Sequence, residues 1–359
     1  MPAIGSFVPR TVEIMSRPPN AAPSGQPLRV SLIAVPDAMV STLAGLYDVM
    51  NAPALRGSAA APPGVARFEL EIVGECAGSM MLASGVPFAV QRSIASLEST
   101  DIVIVPSVLL REAAWVKGRY PALVAWLQHV HARGALLCSA CSGVFLLAET
   151  GAFDGKDATV HFNYQRQFAE AYPQVSVHPE RALVVSGERE DLVCSGASTT
   201  WHDMVLYLIA RFAGAAAAQD VARLYALQWH HDGLAPYVTF EGRSDHGDGE
   251  IEGAQRWLVT NFSLARPVDE MIKRSSLAAR TFKRRFTSAT GLAPIAYVQR
   301  LRIEDAKRRL ERSEAPVDDI GWRVGYEDPA FFRRLFKRTT GLTPGAYRKR
   351  FRLPEFARP

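Results

Sequence analysis

Two stretches of the sequence, fifty positions apart, carry nearly the same residues. Residues 282–297 read FKRRFTSATGLAPIAY and residues 332–347 read FRRLFKRTTGLTPGAY. Phe282/Phe332, Arg284/Arg334, Phe286/Phe336, Thr290/Thr340, Gly291/Gly341, Leu292/Leu342, Pro294/Pro344 and Tyr297/Tyr347 coincide. So clean an offset means two copies of one supersecondary unit, too few for a solenoid. Each copy is a basic helix with an aromatic underside, stopped by Gly.

Charge supports the same division of the chain. The whole sequence carries +5, but residues 248–359 hold 24 Lys and Arg against 14 Asp and Glu, a net of +10, which leaves −5 for the rest. Positive charge confined to one end is an electrostatic footprint for a polyanion. The basic residues lie on several short, separately capped helices, which favours nucleic acid over a membrane surface. No apolar run reaches the roughly 20 residues that span a bilayer.

The second copy is the clearer one. Pro316 opens a helix whose apolar side carries Val317, Ile320 and Val324, and Gly325 breaks it. Asp328 suits an N-cap and Pro329 the first helical position. The next helix is predicted to run to about Thr340. Helix, Gly-containing turn and helix make a helix-turn-helix. Phe332 and Phe336 share its inner face, while Ala330, Arg333 and Arg334 share another. Arg on a free face can bond a guanine edge bidentately in the major groove.

The first copy predicts a helix over 267–275, a turn near 276–278 and a second helix over 279–290. Phe282 and Phe286 face in; Arg280, Lys283 and Arg284 face out. Ala278 stands where a capping residue belongs, so Ser276 is expected to cap one turn early. Between the copies, residues 294–313 predict one helix of roughly 20 residues, about 30 Å long. Such a rod can set two reading helices about one DNA turn apart, roughly 34 Å.

Residues 251–351 resemble the DNA-binding domain of the AraC/XylS family of transcriptional regulators. The run DDIGWRVGYEDPAFFRRLFKRTTGLTPGAYRKRF carries the resemblance. It implies two helix-turn-helix units joined by a linker helix, with base-contacting positions at Arg280, Lys283, Arg284, Ala330, Arg333 and Arg334. Ala330 reaches little beyond a thymine methyl, so the second unit is expected to lean on phosphate contacts. The resemblance further implies a transcriptional activator that works with double-stranded promoter DNA, RNA polymerase and a second copy of itself.

The first 27 residues are Pro-rich and lack the apolar stretch of a secretory signal; they read as a disordered tail. Short apolar runs at 28–35, 67–74, 101–105 and 135–138 predict strands, and 42–51, 121–132, 143–150 and 198–213 predict helices. Strands alternating with helices imply a mostly parallel sheet with helices on both faces. Residues 238–250 are polar and Gly-rich and read as a linker, and 352–359 as a tail. Four cysteines without export signals are expected to be reduced thiols in the cytoplasm.

The segment LLCSACSGVFLLAETG (136–151) has the small residues that a strand-to-helix nucleophile elbow needs around Cys141. A thiol at a helix N-terminus is expected to have a lowered pKa. This segment, with GAFDGKDATVHF (151–162), resembles the ligand domain that precedes some AraC-type DNA-binding domains. That domain is similar to class I glutamine amidotransferases and the PfpI protease group, with a flavodoxin-like sheet; the resemblance covers about 28–235, and the ligand-binding and dimerisation domain is read as 28–237. The catalytic parts depart from the pattern. Ser142 stands where a His often follows the Cys, Thr42 replaces an acidic residue although Asp37 is close, and Pro106-Ser107-Val108 replaces a Gly-rich loop. No enzyme activity is therefore expected.

Open α/β sheets bind ligands at the C-terminal ends of their strands. The expected lining is Cys141, Ser142, His161, Pro106, Ser107 and Thr42, for a small-molecule effector; relatives sense amino acids and quaternary amines. Two alternatives stay open: a cysteine hydrolase or amidotransferase tethered to DNA, and a thiol redox sensor through Cys138 and Cys141. Cys138 lies on a strand with no second C-x-x-C, and His129/His131 point to different helix faces. His230-His231 reads as a surface pair. No metal and no cofactor are expected.

Overall fold

The computed structural model describes residues 27–55, 67–110 and 115–357. The expected N-terminal tail lies outside the described residues, apart from its last position. The chain divides into two units, one ending at His231 and one starting at Asp232.

The first unit is an α/β layer structure. In chain order it runs β1 (Leu28–Ile33), α1 (Val40–Leu55), β2 (Phe68–Gly74), β3 (Gly78–Met81), β4 (Pro87–Val90), β5 (Arg92–Ser93) and β6 (Ile102–Val105). Then come α2 (Pro121–Ala132), β7 (Leu136–Ala140), α3 (Val144–Ala148), β8 (Asp157–Ala158), α4 (Gln165–Ala171) and β9 (Ser176–Val177). The unit closes with β10 (Leu183–Ser186), β11 (Leu192–Ser195), α5 (Trp201–Ala213) and α6 (Ala215–Tyr225).

The main sheet has the order β10-β11-β7-β6-β1-β2-β5. Its pairs are parallel except β10 with β11. β6 and β7 are buried at every residue, which is why they read as unbroken apolar runs rather than alternating ones. From β1 the chain crosses outward to β2, whereas from β6 it crosses the other way to β7. The loops after β1 and β6 therefore diverge, and a crevice belongs between them. β10 and β11 were not expected from the sequence: LVVS and LVCS are four residues each and lack strong flanking turns on both sides.

The second unit is helical. It contains α7 (Gly249–Asn261), α8 (Pro267–Arg274), α9 (Ala279–Thr290), α10 (Pro294–Arg312), α11 (Val317–Arg323), α12 (Pro329–Thr340) and α13 (Pro344–Phe351). α7 starts inside the stretch read as a linker, with Asp248 accepting from the Ile251 amide at 3.3 Å. The rest of that stretch is held down. Phe240 packs edge-on against Tyr297, and Gln255 Nε2 donates to Arg243 O.

Two apolar cores form here. One gathers Ile251, Leu258, Met271, Phe282, Phe286 and Tyr297; the other gathers Ile303, Leu310, Ile320, Phe332, Phe336 and Tyr347. The repeat explains both. Phe286 meets Tyr297 edge-to-face at 5.3 Å, and Phe336 meets Tyr347 in the same way at 5.4 Å. Thr290 and Thr340 each donate to a carbonyl one turn back, Phe286 O and Phe336 O, and accept from the amide two residues on. Apart from the exposed pair Arg284/Arg334, the repeated positions thus pack the core or close the helix end, so the copies are alike mainly for reasons of folding. Truncating any of the four buried Phe side chains to Ala costs about 3–5 kcal/mol.

Candidate functional site

On α12 the sequence expectation for capping holds. Asp328 accepts from the amides of Ala330 and Phe331, with Pro329 at the first position. On α9 it does not. Ala278 is the cap residue with no side-chain bond, and Ser276, expected to cap early, instead donates to Glu250 at 3.0 Å. What fixes α9 is Arg285, whose guanidinium grips Asp248 through two nitrogens. The same position in the second copy is buried Leu335.

Arg280, Lys283 and Arg284 are exposed on α9, and Ala330, Arg333 and Arg334 on α12. The structure therefore groups them as two triplets, each opposite a buried Phe pair. They differ in one respect that the sequence did not reveal. Arg333 Nη2 lies 2.7 Å from the Asp318 carboxylate of α11, while no ion pair among the described residues engages Arg284 or Arg334. Exposed apolar residues accompany the second unit, with Trp322 on α11 68% exposed and Phe331 on α12 partly so.

In the first unit the chain leaving β6 is stitched in place from both sides. Met39 N donates to Ser107 O and Leu109 N to Asp37 O, around a bridge between Ala38 and Val108. From the other side Ser142 Oγ donates to Val108 O at 2.6 Å and accepts from Val108 N at 2.9 Å. Gly143 completes the contact: a Cβ there would lie 2.4 Å from Pro106 O. Ser142, expected to line a ligand pocket, has its hydroxyl spent on this strap.

Cys141 follows β7 directly, in a one-turn 3-10 helix, with φ of +54°. A non-Gly residue at positive φ is strained and is characteristic of a nucleophile elbow. Its sulfur lies 3.8 Å from Ser198 Oγ and is 4% exposed as a residue. The expectation of a lowered pKa is overturned. Burial pushes the thiol up and outweighs the hydrogen bonds from the Ser198 hydroxyl and the Ser142 backbone that favour the thiolate. α3, which should have supplied the helix N-terminus, is only five residues long.

Pro106 and Ser107 are buried, and the Ser107 hydroxyl, near the thiol, has no hydrogen-bond partner among the described residues. Thr42 is buried in the first turn of α1. His161 stacks against Phe162 and Tyr164, accepts from Asn163 N at 3.2 Å, and burial holds it below the usual imidazole pKa, hence neutral. Ser198 and Tyr164, which sequence reasoning missed, also neighbour the sulfur. Burial first and the neighbouring thiol second raise the Tyr164 pKa.

The Asp37 carboxylate is engaged by two side chains of the loop before α2. It is fully buried, with Arg119 at 2.5 Å and the Tyr120 hydroxyl donating at 2.6 Å. All four cysteines are free thiols; Cys138 and Cys194 are buried, and burial pushes Cys194 up to about 12. His230 is no surface residue: its Nδ1 lies 2.7 Å from buried Asp203, which also accepts from the His230 amide. Among the described residues no cluster of three or more His, Cys, Asp or Glu could hold a metal. No helix among them is long and apolar enough to cross a membrane.

Comparison with known proteins matches two parts of the chain. Residues 32–211 match the model of the DJ-1/PfpI family, and residues 271–350 that of a helix-turn-helix domain. The chain is 28% identical over 225 residues to the HTH-type transcriptional regulator CdhR of Pseudomonas aeruginosa, covering 59% of this chain and 62% of that one. It is 25% identical over 195 residues to the HTH-type transcriptional regulator GlxA of Rhizobium meliloti, covering 53% and 58%. A solved AraC family transcriptional regulator from Pseudomonas putida aligns with a TM-score of 0.46 at 21% identity, over 55% of this chain and 100% of that one. The chain thus spans about three fifths of the length of the curated relatives it matches.

Proposed function

This chain belongs to the DJ-1/PfpI family over residues 32–211 and continues into a helix-turn-helix domain, and from that pairing we propose that it is a sequence-specific DNA-binding transcriptional regulator. The observation that carries the reading is the matched pair of reading helices. α9 and α12 each bury two Phe side chains and expose arginines on the opposite face, Arg284 and Arg334 among them. Arg in the major groove reads guanine, and the surrounding cations contact phosphates. The first unit is the sensor. A small-molecule effector enters beside Cys141, Ser107, Ser198 and Tyr164, and two copies act together on promoter DNA with RNA polymerase.

The enzyme reading rests on the positive φ of Cys141 alone. Hydroxyls rather than a base surround the sulfur, and burial keeps it protonated. A thiol without its base is weakly activated. The test of the regulator reading is enrichment of duplexes from a random pool by the full chain. One enriched sequence, with binding that falls steeply as salt rises, supports it. No enrichment, together with amide hydrolysis abolished by Cys141→Ser, would replace it with the hydrolase reading.

A further inference from the structure

The helix α10 belongs to both cores of the second unit. Tyr297 and Val298 enter the first, and Ile303, Ala306 and Leu310 enter the second. Arg302 lies at the changeover. It is 7% exposed, and its guanidinium donates to three carbonyls from different segments. Nε reaches Phe262 O at 2.8 Å, Nη2 reaches Leu264 O at 2.6 Å, and Nη1 reaches Gly325 O at 2.8 Å. Phe262 and Leu264 lie in the connection between α7 and α8, at the entry to the first helix-turn-helix. Gly325 is the turn between α11 and α12 of the second.

The surroundings are shaped to this side chain. The guanidinium lies 4.9 Å from the centre of the Tyr326 ring. Gly325 has φ of +97°, and a Cβ there would lie 2.5 Å from Ser263 O and 2.8 Å from Arg302 Cζ. No carboxylate pairs with Arg302 among the described residues. A buried cation held only by neutral acceptors is a costly way to gain stability. Its geometry is what sets it apart: a planar fork can bond three carbonyls that diverge, which an ammonium group cannot do with the same rigidity.

We propose that Arg302 is a positioning residue that fixes the separation and rotation of α9 relative to α12, so that the protein selects DNA by the spacing between its two half-sites. This rests on the DNA-reading function proposed above. Each helix-turn-helix has its own core, so each can read its half-site without Arg302. What Arg302 supplies is the rigid relation between them.

The test uses the full chain and the duplex it enriches from a random pool, remade with one base pair added or removed between the half-sites. The wild-type protein should lose affinity on the order of tenfold for either change, a usual size for coupling between sites. Arg302→Gln should bind the original duplex more weakly and discriminate among the three spacings by only about twofold, well below such coupling. Arg302→Lys, which keeps the charge without the fork, should behave in the same way and serves if the Gln variant does not fold.

A second measurement needs no DNA. Spin labels at Ser288→Cys and Arg338→Cys, with Cys76→Ser, should give one narrow distance in the wild type and a broad one in either Arg302 variant. Sharp spacing discrimination in a folded variant, or an equally narrow distance, overturns the proposal and leaves the DNA-reading function intact. If the wild type enriches no sequence, the DNA-reading function falls and the spacing claim falls with it.

Discussion

Asp248 and Arg285 form a two-pronged ion pair, with Asp248 Oδ1 2.7 Å from Arg285 Nη2 and Oδ2 2.9 Å from Nε, while Asp248 also caps α7. One carboxylate therefore starts one helix and anchors another, α9, whose own cap position is Ala278. Asp248→Ala should cost about 1 kcal/mol through the lost cap alone. The hydrogen bond to Arg285 holds the Asp248 pKa below its ordinary 3.8. A depressed carboxylate contributes stability above its unfolded pKa and loses it as pH falls through the folded value. Thermal melts of wild type and Asp248→Ala should differ at neutral pH and converge progressively below about pH 4, near the ordinary carboxylate range.

Arg284→Ala and Arg334→Ala should each reduce preference for the enriched duplex over random DNA. A bidentate guanine contact is worth about 1–3 kcal/mol of discrimination. Competition gel shifts measure it. Equal preference in both variants and the wild type would falsify the assignment of α9 and α12 as reading helices.

Asp318→Ala should strengthen DNA binding. It releases Arg333 from a 2.7 Å ion pair in which both side chains are about half exposed, and such a pair contributes little to folding. The freed cation adds roughly one phosphate contact, and the slope of log K against log salt should steepen by about 0.9. An unchanged slope would mean that DNA already displaces Asp318.

Cys141 should resist thiol reagents at neutral pH because burial keeps it protonated. Exposed Cys76 should be alkylated first, and Cys76→Ser should remove the fast phase seen by intact mass. Rapid modification of Cys141 at pH 7 would revive the hydrolase and redox readings.

Ser142→Ala should destabilise the first unit by about 1–3 kcal/mol, since it leaves buried backbone groups of Val108 without their partner. Effector affinity should hardly change, because that hydroxyl is already engaged. A stable variant that fails to bind effector would return Ser142 to the ligand-lining set.

Much of the second unit was legible because its code is local. Phe pairs four apart, Asp328-Pro329 and the Gly stops act within one helix, so spacing alone reveals them. The long-range groups were not legible. Arg302 is one of several cations along α10, and only the fold tells that it and Lys307 turn inward. Arg285 meets Asp248 across 37 positions, and His230 meets Asp203 across 27. In the first unit the small residues around Cys141 announced its tight turn. The sign of its pKa shift was misjudged because burial, a tertiary property, outweighs the local helix terminus.

The sharing of α10 by two cores limits how this architecture can drift. Each residue inserted into that helix would advance the second module by about 1.5 Å and swing it by roughly 100°. A single insertion would therefore aim the two arginine faces at different sides of the duplex, and only three or four together would restore the common side. Lineages descended from such a protein should change their operator layout in jumps, with no viable intermediates one residue apart.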